Sequence, residues 1–203
     1  IETCEQGSYE WLSMRLGKVT ASRVKDVLTK GRGTATSKTA ESYMVELIAE
    51  LLTGQSKPFF ENDAMRWGTE TEPQARQMYE VNNGFVTVKE VAFVELNDQV
   101  GVSPDGLVGD DGLLEIKCPT TATQIKRALS DDYSADYKAQ IQMQLWVTGR
   151  KWCDFVSFDP RLDGEVSYLQ QRVFRDDKYI DEMATKVELF LIDMNAKIES
   201  AQN

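Results

Sequence analysis

Between positions 101 and 119 the chain reads GVSPDGLVGDDGLLEIKCP, which gathers Asp105, Glu115 and Lys117 into one short segment. In a β-strand, residues two apart share a face, so Glu115 and Lys117 point together while Ile116 points away. Asp105 lies in a Pro-Asp-Gly turn, and a hairpin through Gly109-Asp110-Asp111-Gly112 would fold it back against Glu115. Two carboxylates converging at a sheet edge make a hard oxygen site suited to Mg²⁺ or Mn²⁺, with the Ile116 backbone carbonyl as a further ligand. Lys117 beside such an ion would orient or deprotonate a water. The same residues also read as a common turn tripeptide followed by a solvated Glu–Lys pair. Spacing alone leaves both readings standing.

Composition narrows the chemistry. The chain has no histidine, which excludes Ser-His-Asp and Cys-His catalysis and most zinc-enzyme sites. Acid–base or metal work therefore falls to carboxylates, lysine, tyrosine or water. The formal net charge of −10 weighs against a surface coated in basic nucleic-acid-binding patches. A local basic groove inside an acidic shell is still compatible with it. Cys4, Cys118 and Cys153 are widely spaced and form no zinc pattern, which points to reduced thiols and a cytoplasmic protein. No stretch has the pattern of a signal peptide, and no apolar run reaches the length of a membrane span. The chain opens on Ile1 rather than Met, which leaves room for missing or processed residues ahead of it.

The elements that must position these residues follow from periodicity. With 203 residues, 41% of them hydrophobic, and no repeat or linker, one domain spanning 1–203 is expected. A short helix is predicted over 8–16 and a second one opening at Thr20. The polar stretch GRGTATSKTA, with Lys30, Arg32 and Lys38 in and around it, reads as a loop. Met44, Leu47, Ile48 and Leu51 predict a helix over 39–53 that stops at Gly54. Thr71 and Gln74 have capping-box spacing, and Pro73 suits a first turn, so a helix is predicted over 71–82. Strands are expected within 85–95, near 99–103 and near 112–118. A helix over 134–148, two strands in WCDFVSFD and EVSYLQQRVF, and a long amphipathic helix carrying Ile180 to Ile198 complete the chain. Trp67, Trp146 and Trp152 are assigned to the core by apolar periodicity. The order of elements implies an α/β or α+β layered architecture.

SPDG followed by LEIKCP resembles the PD-(D/E)xK nuclease motif, in the form used by the lambda exonuclease and YqaJ-type phage recombination exonucleases. EQGSYEWLSMRLGKVTAS, WGTETEP, AQIQMQLWVTGR and SFDPRL resemble further signatures of that family, in the family's order, from about Glu5 to Arg161. The resemblance implies a restriction-endonuclease-like core, a central mixed sheet flanked by helices. It implies a two-metal hydrolase using Mg²⁺, which Mn²⁺ can replace, that processively digests one strand of double-stranded DNA from a 5′ end. Asp105 would bridge two ions, Glu115 and the Ile116 carbonyl would hold the first, and Lys117 would place the attacking water. Glu72 matches the family's additional helix carboxylate, with Glu70 the less suited neighbour.

A pocket for the 5′-terminal phosphate would be made by Arg15, Ser22, Ser103 and Gln140. Arg32 would enter a minor groove or follow the backbone, and Met65 would be an apolar wedge between the strands. Taken singly, these residues also read as an exposed helix arginine, an N-cap serine, a solvated glutamine and a packed methionine. The resemblance further implies a ring-shaped homotrimer threaded by DNA, a single-strand annealing recombinase as partner, and no membrane. A restriction-type endonuclease and a cation-stabilised binding module without catalysis are the alternatives. Digestion in Mg²⁺, and its dependence on free ends, separates them.

Overall fold

A computed structural model describes residue 4 and residues 6–32, 36–56 and 62–202. The first helix, α1 (Tyr9–Arg15), starts where Ser8 accepts the Trp11 N–H. It leads through the two-residue strand β1 (Val19–Thr20) and one tight turn into α2 (Val24–Leu28). The helix expected to open at Thr20 does so with Thr20 as its extended N-cap, but its first turn, Ala21–Arg23, is a 3-10 turn and α-helical bonding begins at Val24. Part of the GRGTATSKTA loop, residues 33–35, lies outside the described residues. Helix α3 (Lys38–Thr53) is capped by Ser37 and ends on Gly54 in the left-handed conformation, as its sequence predicts.

Helix α4 (Asp63–Asn82) departs from expectation: it begins eight residues before the predicted start. Asn62 supplies the cap by accepting the Met65 N–H, so Thr71 is a buried mid-helix residue and Pro73 sits inside the helix. The run 63–70 reads DAMRWGTE, whose apolar Ala64, Met65 and Trp67 fall too close together to show helical periodicity.

Strands β2 (Val88–Lys89), β3 (Val94–Asn97), β4 (Val100–Val102), β5 (Gly106–Val108) and β6 (Gly112–Lys117) follow. Helices α5 (Thr121–Ala128) and α6 (Lys138–Thr148) then cross over to β7 (Trp152–Phe158). Strand β8 (Tyr168–Phe174) returns antiparallel, and α7 (Asp177–Gln202) closes the chain. The five-stranded sheet has the order β2-β5-β6-β7-β8 and is mixed, since β6 and β7 alone run parallel. A three-stranded sheet, β1-β4-β3, lies beside it.

Strand β6 is central and buried on both faces. Leu114 and Ile116 pack with Ala75 and Tyr79 of α4. Leu113 packs with Ile141 and Leu145 of α6 on the other side. Glu115 and Lys117 alternate with the first pair and so face α6. A third cluster joins α2, α3 and α7 to the small sheet.

Two devices fix this arrangement. Helix α4 is pinned to the sheet by Tyr79, whose hydroxyl donates to the fully buried Asp154 on β7 at 2.8 Å. Asp154 also accepts two bonds of 2.8 Å from Arg172 on β8. At the far end of β6, Gly112 lies opposite Trp152, and a Cβ there would come within 2.2 Å of the indole ring. The Arg172 guanidinium stacks on that ring at 3.7 Å, so the indole has little freedom to yield. Gly112→Ala is expected to cost roughly 1–3 kcal/mol, the usual range for overpacking, read as a lowered denaturation midpoint with unchanged m-value.

Candidate active site

The hairpin of β5 and β6 brings the sequence-predicted residues together. Its register pairs Gly106 with Leu114 and Val108 with Gly112. Arg150 clamps the turn by donating to the carbonyls of Gly109 (2.9 Å) and Gly112 (2.6 Å). Continuing the ladder would set Ile116 opposite Pro104, and the ladder stops there. The Asp105 carboxylate takes over, accepting the Ile116 N–H through Oδ2 at 2.6 Å. The Pro-Asp-Gly turn therefore places a carboxylate directly beside the strand that carries Glu115.

Glu115 is fully buried, and donors surround its carboxylate. Lys117 and Gln140 both donate to Oε1, Gln140 at 2.6 Å. Gln144 donates to Oε2 at 2.7 Å. Gln140 and Gln144 are four apart on α6 and so share the face that meets β6. Lys117 also lies 5.4 Å from the Tyr137 ring centre. Burial by itself would lower the Lys117 ammonium, but Glu115 and Asp105 more than offset this and raise its pKa. Lys117 is thus held as a cation and a hydrogen-bond donor.

Glu72, on α4, reaches the same region and accepts from Arg76 at 2.6 Å. Burial raises its pKa, Arg76 and Lys117 oppose the rise, and Glu115 adds to it. The Asp105 carboxyl is pushed well above the usual range by loss of hydration and then by Glu115. Cys118, just past the end of β6, has a thiol raised to about 12 by burial and the nearby carboxylates, which makes it a poor nucleophile.

This donor set fits a hard divalent cation: oxygen ligands only, repelling one another, with cations close by. Among the described residues, no three His, Cys, Asp or Glu side chains are gathered closely enough to hold an ion unaided.

Arg15, Ser22 and Ser103 form a second cluster, tied to the site through Ser103, two positions before Asp105 in the chain. Arg15 donates to Ser103 Oγ at 3.3 Å and reaches Ser22 Oγ at 3.5 Å, while its guanidinium lies 4.0 Å above Trp11. The Trp11 indole N–H holds Ser103 Oγ at 2.9 Å. Among the described residues no carboxylate lies within ion-pair distance of Arg15. Burial lowers its pKa to about 10, partly offset by Tyr43 and Glu50. Gln140, expected in this cluster, is hydrogen-bonded to Glu115 instead.

Met65 is 40% exposed and lines a cleft of about 980 Å³ together with Trp11, Glu72, Arg76 and Asp105. Arg32 is exposed in the loop that the Lys30–Thr36 bridge closes, and is not among the cleft-lining residues. Glu70 is exposed on α4.

A family model for the YqaJ-like viral recombinase domain matches residues 10–151, a span that includes both clusters. The chain belongs to that family. Among solved structures, the YqaJ-like chain resembles an alkaline exonuclease (LHK-Exo) from Laribacter hongkongensis, with 45% identity, 96% of each chain covered and a TM-score of 0.88. The same enzyme in complex with dAMP matches equally well. A phage-related exonuclease from Haemophilus somnus 129PT shares the fold at 19% identity, with 91% of this chain and 96% of that one covered and a TM-score of 0.72. A comparison with curated proteins gives no match. Among the described residues, no helix of this YqaJ-like protein is long and apolar enough to cross a membrane.

Sequence reasoning missed three residues of the site. Gln144 was legible only as the i+4 partner of Gln140, and Arg76 only as the i+4 partner of Glu72. Tyr137 carried no signal beyond helical spacing. One assignment is corrected: Trp67 belongs to none of the three core clusters. It is half-buried beneath the Arg161 guanidinium, 4.1 Å from the ring centre. Trp146 and Trp152 do pack against the core.

Proposed function

We propose that the protein is a divalent-metal-dependent 5′→3′ exodeoxyribonuclease that degrades one strand of linear double-stranded DNA. The observation that carries this reading is the meeting of Asp105, Glu115 and Lys117, with the Arg15–Ser22–Ser103 cluster, in which no carboxylate among the described residues pairs with Arg15, held close by through Ser103. A 45%-identical alkaline exonuclease, also solved with the nucleoside monophosphate dAMP, supports it.

Asp105, Glu115, the Ile116 carbonyl and Glu72 would hold Mg²⁺, two ions by the family's pattern, with Mn²⁺ able to substitute. When bound, the ions would supply Lewis-acid stabilisation of the phosphodiester oxygens and an activated water. Lys117, an ammonium donor on the strand face of Glu115, orients that water. Gln140 and Gln144 fix the Glu115 carboxylate so that it does not reorganise during reaction. Arg15 grips the terminal 5′-phosphate with paired charge-assisted bonds, and Ser22 and Ser103 add hydroxyl donors. An anionic guest also offsets the loss of hydration that Arg15 bears. Met65 sits on the cleft wall, where an apolar wedge would meet the separating strands. In the same reading the chain forms a homotrimeric ring around duplex, works processively, and leaves a 3′ strand for a single-strand annealing recombinase.

The deciding experiment incubates linear and covalently closed duplex with Mg²⁺ and identifies the products. Linear DNA should yield 5′-mononucleotides while closed DNA survives. Cutting of closed DNA would favour a restriction-type endonuclease, and no cutting at all would favour the binding module. Ca²⁺ should support little turnover, because its looser and longer coordination misplaces the water.

Arg15 gives a sharper test. Wild-type protein should digest 5′-phosphorylated duplex faster than 5′-hydroxyl duplex, and Arg15→Ala should erase most of that preference. Ser22→Ala should weaken it less, since a neutral donor is worth about 1 kcal/mol. Equal slowing of both substrates by Arg15→Ala would make the residue a general contact.

A further inference from the structure

We propose that Arg76 is a positioning residue that sets Glu72 against Asp105 and acts through Glu72. The inference rests on reading the cleft as a metal-dependent nuclease site. Glu72 comes from α4 and Asp105 from the turn between β4 and β5, and no strand pairing links these two elements. Arg76 links them. Its Nη2 donates to Glu72 Oε1 at 2.6 Å and also to the backbone carbonyl of Asp105 at 3.1 Å. Its Nη1 pairs with Glu90, in the connection between β2 and β3, at 2.9 Å. One planar fork therefore anchors three segments at the cleft wall.

Several details separate this from an ordinary helix ion pair. A solvated pair four residues apart on a helix contributes little and involves no third element. The Arg76 side chain is 13% exposed, and among the described residues nothing accepts a hydrogen bond from its buried Nε, so the fork is held by its two Nη groups. Lysine, a compact ammonium with rotatable donors, lacks the rigid plane that holds Glu72 and the Asp105 carbonyl on one nitrogen and Glu90 on the other. Partners that orient metal-binding carboxylates typically influence metal affinity by 10–100-fold.

The test is Mn²⁺ titration by calorimetry well below the melting temperature, on wild type, E72Q, R76Q, R76K and the double variant E72Q/R76Q. R76Q should weaken Mn²⁺ binding by about tenfold or more, and R76K should recover little of it. The double variant should bind no more weakly than E72Q, to within about twofold, because residues acting through one another are non-additive. Wild-type affinity in R76Q, multiplied losses in the double variant, or a loss in R76Q absent from E72Q would each overturn the proposal. Should R76Q fail to fold, R76K and E72Q/R76K supply the same cycle. Absence of Mn²⁺ binding by wild type would instead overturn the reading of the cleft itself.

Discussion

Asp105→Asn is expected to slow digestion of linear duplex by at least about 10³-fold at saturating Mg²⁺, which corresponds to about 4 kcal/mol of lost transition-state stabilisation. The magnitude follows from removing an anionic oxygen ligand where metal-based charge stabilisation is worth several kcal/mol. The fold should survive, because the asparagine carbonyl still offers an acceptor to the Ile116 N–H. Its melting temperature should stay within about 4 °C of wild type, the shift for a change of about 1 kcal/mol. Glu115→Gln should lose activity as severely while still filling the buried space between β6 and α6. Lys117→Ala should also be severely impaired but should retain most Mn²⁺ binding. Near-native turnover in either carboxylate variant would sink the site assignment.

The second large effect concerns stability. Arg172→Ala should destabilise the protein by about 3 kcal/mol, because it leaves a fully buried carboxylate without its charged partner. Among the described residues, the Asp154 carboxylate would keep the side-chain bonds from Tyr79 at 2.8 Å and Gln170 at 3.3 Å. The variant also removes the guanidinium that covers Trp152. For a chain of this size the melting temperature should fall by about 6–12 °C. The Arg172 side chain is 43% exposed, so a shift below about 2 °C would mean that water replaces it and that Asp154 is not the anchor described above.

Much of the site was legible because it is local. Asp105, Glu115 and Lys117 fall within one hairpin, and period-two alternation set two of them on one face. The hairpin turn and the Gly54 helix stop were likewise written in residue types. What was not legible depends on long-range packing. Strand β5 is three residues long and reads as loop. Helix α5 has few apolar residues, and its boundary rests on Thr120 accepting the Thr123 N–H. The early start of α4 was hidden because Pro73 imitates a first turn. Beyond their i+4 spacing, Arg76 and Gln144 gave no sign of their roles, because the bonds to Asp105 and Glu115 each reach 29 residues along the chain to another element. Gln140 was assigned by resemblance to the phosphate cluster, whereas the packing of α6 on β6 puts its amide on Glu115.

The bond from the Ile116 amide to the Asp105 carboxylate has a spectroscopic consequence. Where the β5–β6 ladder stops, that single proton is shared with a side chain rather than a main-chain carbonyl. Its chemical shift should move when a cation draws on the Asp105 oxygens, while the Leu114 amide, two residues back on the same strand, stays still. In a ¹⁵N-labelled sample, one cross-peak would thus follow loading of the cleft residue by residue, with no substrate and no turnover.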